Sequence, residues 1–230
     1  MGQLVKWFAD PFALVGVYLL LRLIFSRGGE APGLSLACAV VPFQIVVFSC
    51  ISAMSGVSLR EPILLNMQFD RMLIPPASVL TESLAFAASF LMIPLAMAVY
   101  GVGPQPSLLW LPVVVAGALL LALGAAWPAA LIGLWFPGIK TLASQGLRTL
   151  FFAAPGVVAL SEVSDDVKHW IVYNPFTGLF ESFRHVFLYG DSPEFWQLAY
   201  PAGVGLVLML LFLPLYRREQ RHFGKLVGDD

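Results

Sequence analysis

The sequence predicts an all-α membrane protein of six transmembrane helices, with both termini cytoplasmic and short re-entrant or interfacial helices in an outer loop between spans five and six. Three observations lead there. First, 59% of the 230 residues are hydrophobic and 12% charged, with a mean hydropathy of +0.82. Soluble domains carry roughly 25% charged residues, so half that share leaves too little polar surface to coat a water-soluble globule. Second, six segments reach or approach the roughly 20 apolar residues that cross a hydrocarbon layer. Third, the basic residues are distributed unevenly over alternate connections.

The six spans fall at about 8–26, 34–58, 79–101, 107–136, 145–163 and 195–216. The first carries Asp10 at its start and Arg22 near its end, where each can reach an interface by snorkelling. Pro42, Pro94, Pro112, Pro128 and Pro155 predict kinks, which neighbouring helices tolerate in a bundle. With a cytoplasmic amino terminus, the inner segments hold Lys6, Arg60, Arg71, Lys140, Arg148, Arg217, Arg218, Arg221 and Lys225. The outer loops hold Arg27, Lys168 and Arg184. Basic residues favour the cytoplasmic side, which fixes this orientation. The opening stretch "MGQLVKWFADPFALVG" has no apolar core followed by a small-residue cleavage site, so no removable signal peptide is expected. No internal repeat or soluble domain interrupts residues 1–230, which read as one membrane domain.

Two connections stand out. The cytoplasmic loop at about 59–76 mixes charged and apolar residues, and the outer loop at about 164–194 is the longest. Within the outer loop, "YNPFTGLFESFRHVFLYG" has the marks of a short helix. Asn174 suits the cap, and Pro175 suits the first helical position, where its missing N–H costs nothing. Phe176, Phe180, Phe183 and Phe187 recur at helical spacing on one face. Glu181 and Arg184 lie at i, i+3 and can pair. Gly190 can end the helix. Ahead of it, Asp165, Asp166 and Lys168 precede the aromatic "HWIVY", so the loop reads as two short segments dipping into the outer leaflet and returning. Periodicity alone does not separate a lid from an interfacial anchor.

Several activities find no support. No G-x-x-x-x-G-K-[ST] phosphate loop occurs, and "FGKLVG" at 223–228 lacks its spacing. His169, His185 and His222 are scattered, and no nucleophile, base and orienting group converge, so neither a metal site nor a catalytic site is expected. Glu82, about one turn inside the third span, is the main intramembrane carboxylate. Its place near the cytoplasmic interface fits a structural pair with a basic residue or a functional role. Cys38 and Cys50 lie about 18 Å apart along one helix and cannot pair with each other. No basic face suggests nucleic acid at a net charge of −1.

Taken together, these stretches resemble the membrane subunit of ABC exporters of the ABC-2 class, in the polysaccharide branch that exports lipid-linked O-antigen, teichoic acid and related glycans. "NPFTGLFESFRHVFL" (174–188) is similar to that branch's Asn-Pro-x-Thr…Glu-x-x-Arg hairpin. "YRREQRHFGKLVGD" (216–229) is like its short basic tail, and "GVSLREPILLNMQFDRMLIPP" (56–76) resembles its cytoplasmic coupling stretch. One departure is that these subunits usually start with a longer amphipathic segment, whereas the first span here begins almost at once.

The resemblance implies a multi-pass inner or plasma membrane protein that is not itself an enzyme. It implies a homodimer with two copies of a separate ATPase, which bind ATP and Mg; this chain holds no cofactor. The substrate would be a lipid-linked glycan, with a lipid or drug-like molecule as the alternative. Arg60, Glu61, Asn66, Phe69, Asp70 and Arg71 would dock the ATPase. Tyr18, Phe43, Phe48, Phe151 and Phe152 are candidates for a translocation path, since flat aromatic faces hold sugar rings loosely. The outer gate would comprise Asn174, Pro175, Phe176, Phe180, Glu181, Phe183 and Arg184. In that arrangement the phenylalanines, Phe187 included, bury against the fifth and sixth spans, and Glu181 and Arg184 meet water, sugar or each other.

Overall fold

The computed structural model describes residues 31–59 and 70–219, and every regular element among them is helical. The first expected span, with Tyr18, lies outside the described residues, as do Arg60, Glu61, Asn66 and Phe69.

The central element is α1 (Pro32–Leu59). It is apolar on every side, and a helix with no polar face belongs inside a bundle. The side chains from Leu34 to Val47 are accordingly all buried. Cys38 and Cys50 are buried and unpaired in it. Asp70 then accepts a hydrogen bond from the Met72 N–H (3.0 Å), starting a 3-10 turn over Arg71–Leu73. It leads into α2 (Ile74–Phe90) and, after a bend at Leu91, α3 (Met92–Tyr100). Pro94 causes the bend, because it cannot donate to the Phe90 carbonyl and its ring crowds that oxygen. Ser52 of α1 supplies a side-chain hydrogen bond to Glu82, so this carboxylate has a hydroxyl partner in the α1–α2 seam.

A 3-10 turn over Pro106–Trp110 opens α4 (Leu111–Trp135), which packs on α1 and on the last described helix, Phe195–Glu219. These contacts run backbone to backbone. A Cβ on Gly133 would collide with the backbone of Met54, and one on Gly124 with the backbone of Gly205. Small residues at such crossings allow the close approach through which membrane helices gain van der Waals contact.

Hydrogen bonds between distant residues order the two ends of the bundle. The Gly33 N–H donates to the Tyr100 hydroxyl (3.1 Å) and the Ser107 hydroxyl donates to the Val186 carbonyl (2.7 Å). The Tyr216 hydroxyl donates to the Arg71 carbonyl (3.2 Å). The helices therefore alternate in direction, with the start of α1, the α3–α4 connection and the 185–190 segment at one end and Arg71 and Tyr216 at the other.

Four described helical stretches are long and apolar enough to cross a membrane: Pro32–Gly56, Arg71–Tyr100, Pro106–Trp135 and Phe195–Glu219. They correspond to the spans expected at 34–58, 79–101, 107–136 and 195–216. The span expected at 145–163 is not one helix. α5 (Lys140–Thr149) stops at Thr149, turns occupy 150–158, and a 3-10 turn follows at Leu160–Glu162. Pro155 breaks the ladder and biases Ala154 away from helical geometry. The helix before the break carries Lys140, Ser144, Gln145, Arg148 and Thr149, and none of its residues is buried.

Candidate functional site

The stretch expected as the outer loop holds two helices in succession, α6 (Asp165–Ile171) and α7 (Pro175–Arg184). Asp165 and Asp166 stand in the first turn of α6, where negative charge offsets the helix dipole. The chain turns over 172–174, and the side chain of Asn174 accepts from the Phe176 N–H (3.0 Å), capping α7. The Thr177 hydroxyl donates back to the Ile171 carbonyl (2.6 Å), tying the two helices together. Beyond α7, His185–Tyr189 widens into a π turn closed by Gly190 at φ 77°.

Helix α7 is inserted, not laid on a surface, for every residue from Phe176 to Arg184 is buried. With Phe195–Glu219 designated α8, α7 wedges between α1 and α8. Gly178 makes this possible, since a Cβ there would stand 3.0 Å from the Gln197 carbonyl oxygen of α8. The phenylalanine stripe divides. Phe176 and Phe180 meet Phe43 of α1 at centroid distances of 5.1 and 6.2 Å, and Phe151 closes the cluster at 5.1 Å from Phe43 and 5.7 Å from Phe180. Phe187 instead lies 5.7 Å from Phe90 of α2. The stripe therefore packs on α1, α2 and the turn after α5, with α8 approached through Gly178. Burial was expected against the fifth and sixth spans; Phe151 of the expected fifth span is one partner, and α1 and α2 supply the others.

The buried ion pair organises this site. Arg184 Nη1 donates to Glu181 Oε1 at 2.6 Å, with residue exposures of 0% and 4%. The expected i, i+3 pair is present, but neither partner meets water. Arg184 Nε also donates to the Ser35 hydroxyl (3.1 Å) and Nη2 to the Gly156 carbonyl (3.2 Å), while Glu181 Oε1 accepts from the Leu160 N–H (2.9 Å). The physical reason lies in the break at Pro155. Irregular backbone within a bundle leaves peptide groups without helical partners, and these must be satisfied inside the protein. Arg184 and Glu181 satisfy one carbonyl and one N–H of the broken segment. The planar fork of arginine reaches three partners at once, which a lysine ammonium does not do in fixed geometry.

Among the path candidates, Phe43 and Phe151 belong to the cluster under α7, Phe48 is half-buried against the core, and Phe152 is exposed by 57%. The Phe152 ring stands 5.6 Å from that of Phe151, so three of the candidates adjoin one another. Of the residues expected to dock the ATPase, Asp70 caps the turn before α2, and the carbonyl of Arg71 accepts from the Tyr216 hydroxyl. Ser35, Gly156 and Leu160 join the site without having been singled out in the sequence; Pro155-Gly156 was the available signal for the last two. At the edge of the site, burial and then the Glu181 charge raise the Tyr189 phenol above its ordinary pKa.

No family model matches the chain. Over 223 residues, 95% of the chain and 85% of the relative, it is 23% identical to an O-antigen export system permease protein RfbA of Klebsiella pneumoniae. A protein of the same name from Myxococcus xanthus is 27% identical over the same shares. This similarity covers nearly the whole chain. The chain is thus a multi-pass membrane protein that resembles, across nearly its whole length, the O-antigen export permeases of the ABC-2 polysaccharide branch.

Proposed function

We propose that this chain is the membrane subunit of an ATP-driven exporter that moves a lipid-linked, O-antigen-like polysaccharide outward across the inner or plasma membrane. Both termini face the cytoplasm, two copies form the conduit between them, and two separate ATPase subunits bind ATP and Mg. The chain itself catalyses nothing. The observation that carries the proposal is similarity to O-antigen export permeases over 95% of the chain, joined to a hairpin inserted against α1. The loop containing Asp70 and Arg71 docks the ATPase. Nucleotide moves the helices because it binds the open and closed arrangements with different affinity.

In this account α7 closes the outer mouth. Its buried pair holds the broken segment at Gly156 and Leu160 to α1, so opening shifts these elements together. The test is deletion of the chain in its native host: lipid-linked glycan accumulates on the cytoplasmic face, and re-expression clears it. Absence of accumulation overturns the proposal, and stimulation of the reconstituted ATPase by a lipid or drug-like compound in place of the glycan moves the assignment to that substrate class.

A further inference from the structure

Outside the buried site, α6 carries an open depression of about 390 Å³ lined by Asp165, Lys168, His169, Val172 and Tyr173. Asp165, Lys168, His169 and the capping Val172 share one face at i, i+3, i+4 and i+7, and Tyr173, in the turn after α6, joins them. Such spacing commonly marks a buried face, yet Asp165, His169 and Tyr173 are exposed, Tyr173 by 64%. The His169 and Tyr173 rings stand edge to face, 6.0 Å apart at 87°, and make an angled aromatic wall. Its far end is anchored, because the Tyr200 hydroxyl of α8 donates to the Tyr173 carbonyl (2.6 Å). A carboxylate and an ammonium share the depression with the rings.

We propose that this depression is a sugar-binding subsite at the outer end of the hairpin, an inference that rests on the glycan-export reading above. A pyranose presents an apolar C–H face and a rim of hydroxyls. Here the Tyr173 ring offers the flat surface, Asp165 accepts from hydroxyls, and Lys168 donates to oxygens. The volume lies at the small end of ligand clefts, which suits one or two sugar units rather than a large ligand. A helix lying on lipid separates its apolar and charged faces and carries a Lys/Arg-rich polar face. In this depression rings and charges of both signs occupy the same face. Trp170, exposed by 75%, and Val167 lie off that face. Asn174, the cap of α7, follows Tyr173 directly, so a sugar held here rests on the hinge of the inserted helix.

The test uses the full chain with its ATPase in lipid nanodiscs. The probe is the soluble oligosaccharide released by mild acid from the glycan that accumulates when the chain is deleted. Saturation-transfer NMR on the oligosaccharide is expected to show contact with the wild type, and at least tenfold weaker binding for Tyr173→Ala and for Asp165→Asn. Trp170→Ala retains wild-type affinity. All three positions are exposed, and a thermal melt verifies that each variant remains folded. Equal binding by Tyr173→Ala and wild type overturns the subsite. So does quenching of a Tyr173→Cys fluorophore by spin-labelled lipid with no oligosaccharide contact, which makes this face a membrane anchor. Either result, obtained where glycan does accumulate, leaves the export reading standing; a host with no accumulation removes both.

Discussion

Removing one member of the buried pair has a cost that follows from its surroundings. Arg184→Met leaves the Glu181 carboxylate buried and still accepting from the Leu160 N–H, and takes a donor from the Gly156 carbonyl and from the Ser35 hydroxyl. Breaking a buried ion pair this way costs about 3–5 kcal/mol. Glu181→Leu strands the guanidinium and is expected to cost a similar amount. The double variant removes both charges and fills the space with apolar atoms, which is often close to neutral for the pair itself. It still orphans one carbonyl and one N–H, at about 1–3 kcal/mol each. The double variant is therefore less destabilised than the sum of the singles, with a coupling of roughly 4 kcal/mol. The assay is reversible unfolding of the four proteins in mixed micelles, followed by circular dichroism. Additive single and double values would refute the reasoning, because they would mean that Arg184 and Glu181 do not share one buried network.

Three further outcomes follow from the same geometry. Gly124→Ala places a methyl group against the Gly205 backbone, and overpacking of about 1–3 kcal/mol should lower the melting temperature; an unchanged melt contradicts the close α4–α8 crossing. Asn174→Ala removes the acceptor for the Phe176 N–H and should cost about 1 kcal/mol, measured by unfolding, whereas Asn174→Asp should retain most of that stability. The raised Tyr189 phenol means that the folded chain binds this proton more tightly than the unfolded chain, whose tyrosines titrate near the usual 10.0. Its contribution is intact below that pH and declines as pH rises past it. Tyr189→Phe should flatten that part of the pH–stability curve, and an identical curve contradicts the assignment.

The hairpin was legible because its signals are local. Asn174-Pro175 reports a helix start within two residues, the phenylalanine stripe reports a face, and Glu181 and Arg184 meet one turn apart. The partners that give the pair its purpose were not legible, since Ser35 and Gly156 lie 149 and 28 residues from Arg184. Local periodicity carries no information on such contacts. The break in the expected fifth span was not legible for a related reason. Apolar residues from Val157 to Leu160 preserve the hydropathy of 145–163, while Pro155 stops the helix in a way that averaging over a window does not register. A break there is tolerable because side chains from another element satisfy the freed backbone, and that compensation exists only in three dimensions. The depression on α6 was half visible: "HWIVY" announced aromatic residues, but their shared face with Asp165 and Lys168 depended on where α6 begins.

The most direct measurement for the export account is a density map of the two-copy assembly with its ATPase in a lipid bilayer. The account predicts that α7 of each copy lies beside the twofold axis and closes the outer end of a passage between them. A map placing α7 at the outer circumference, against bulk lipid with no passage behind it, would contradict it.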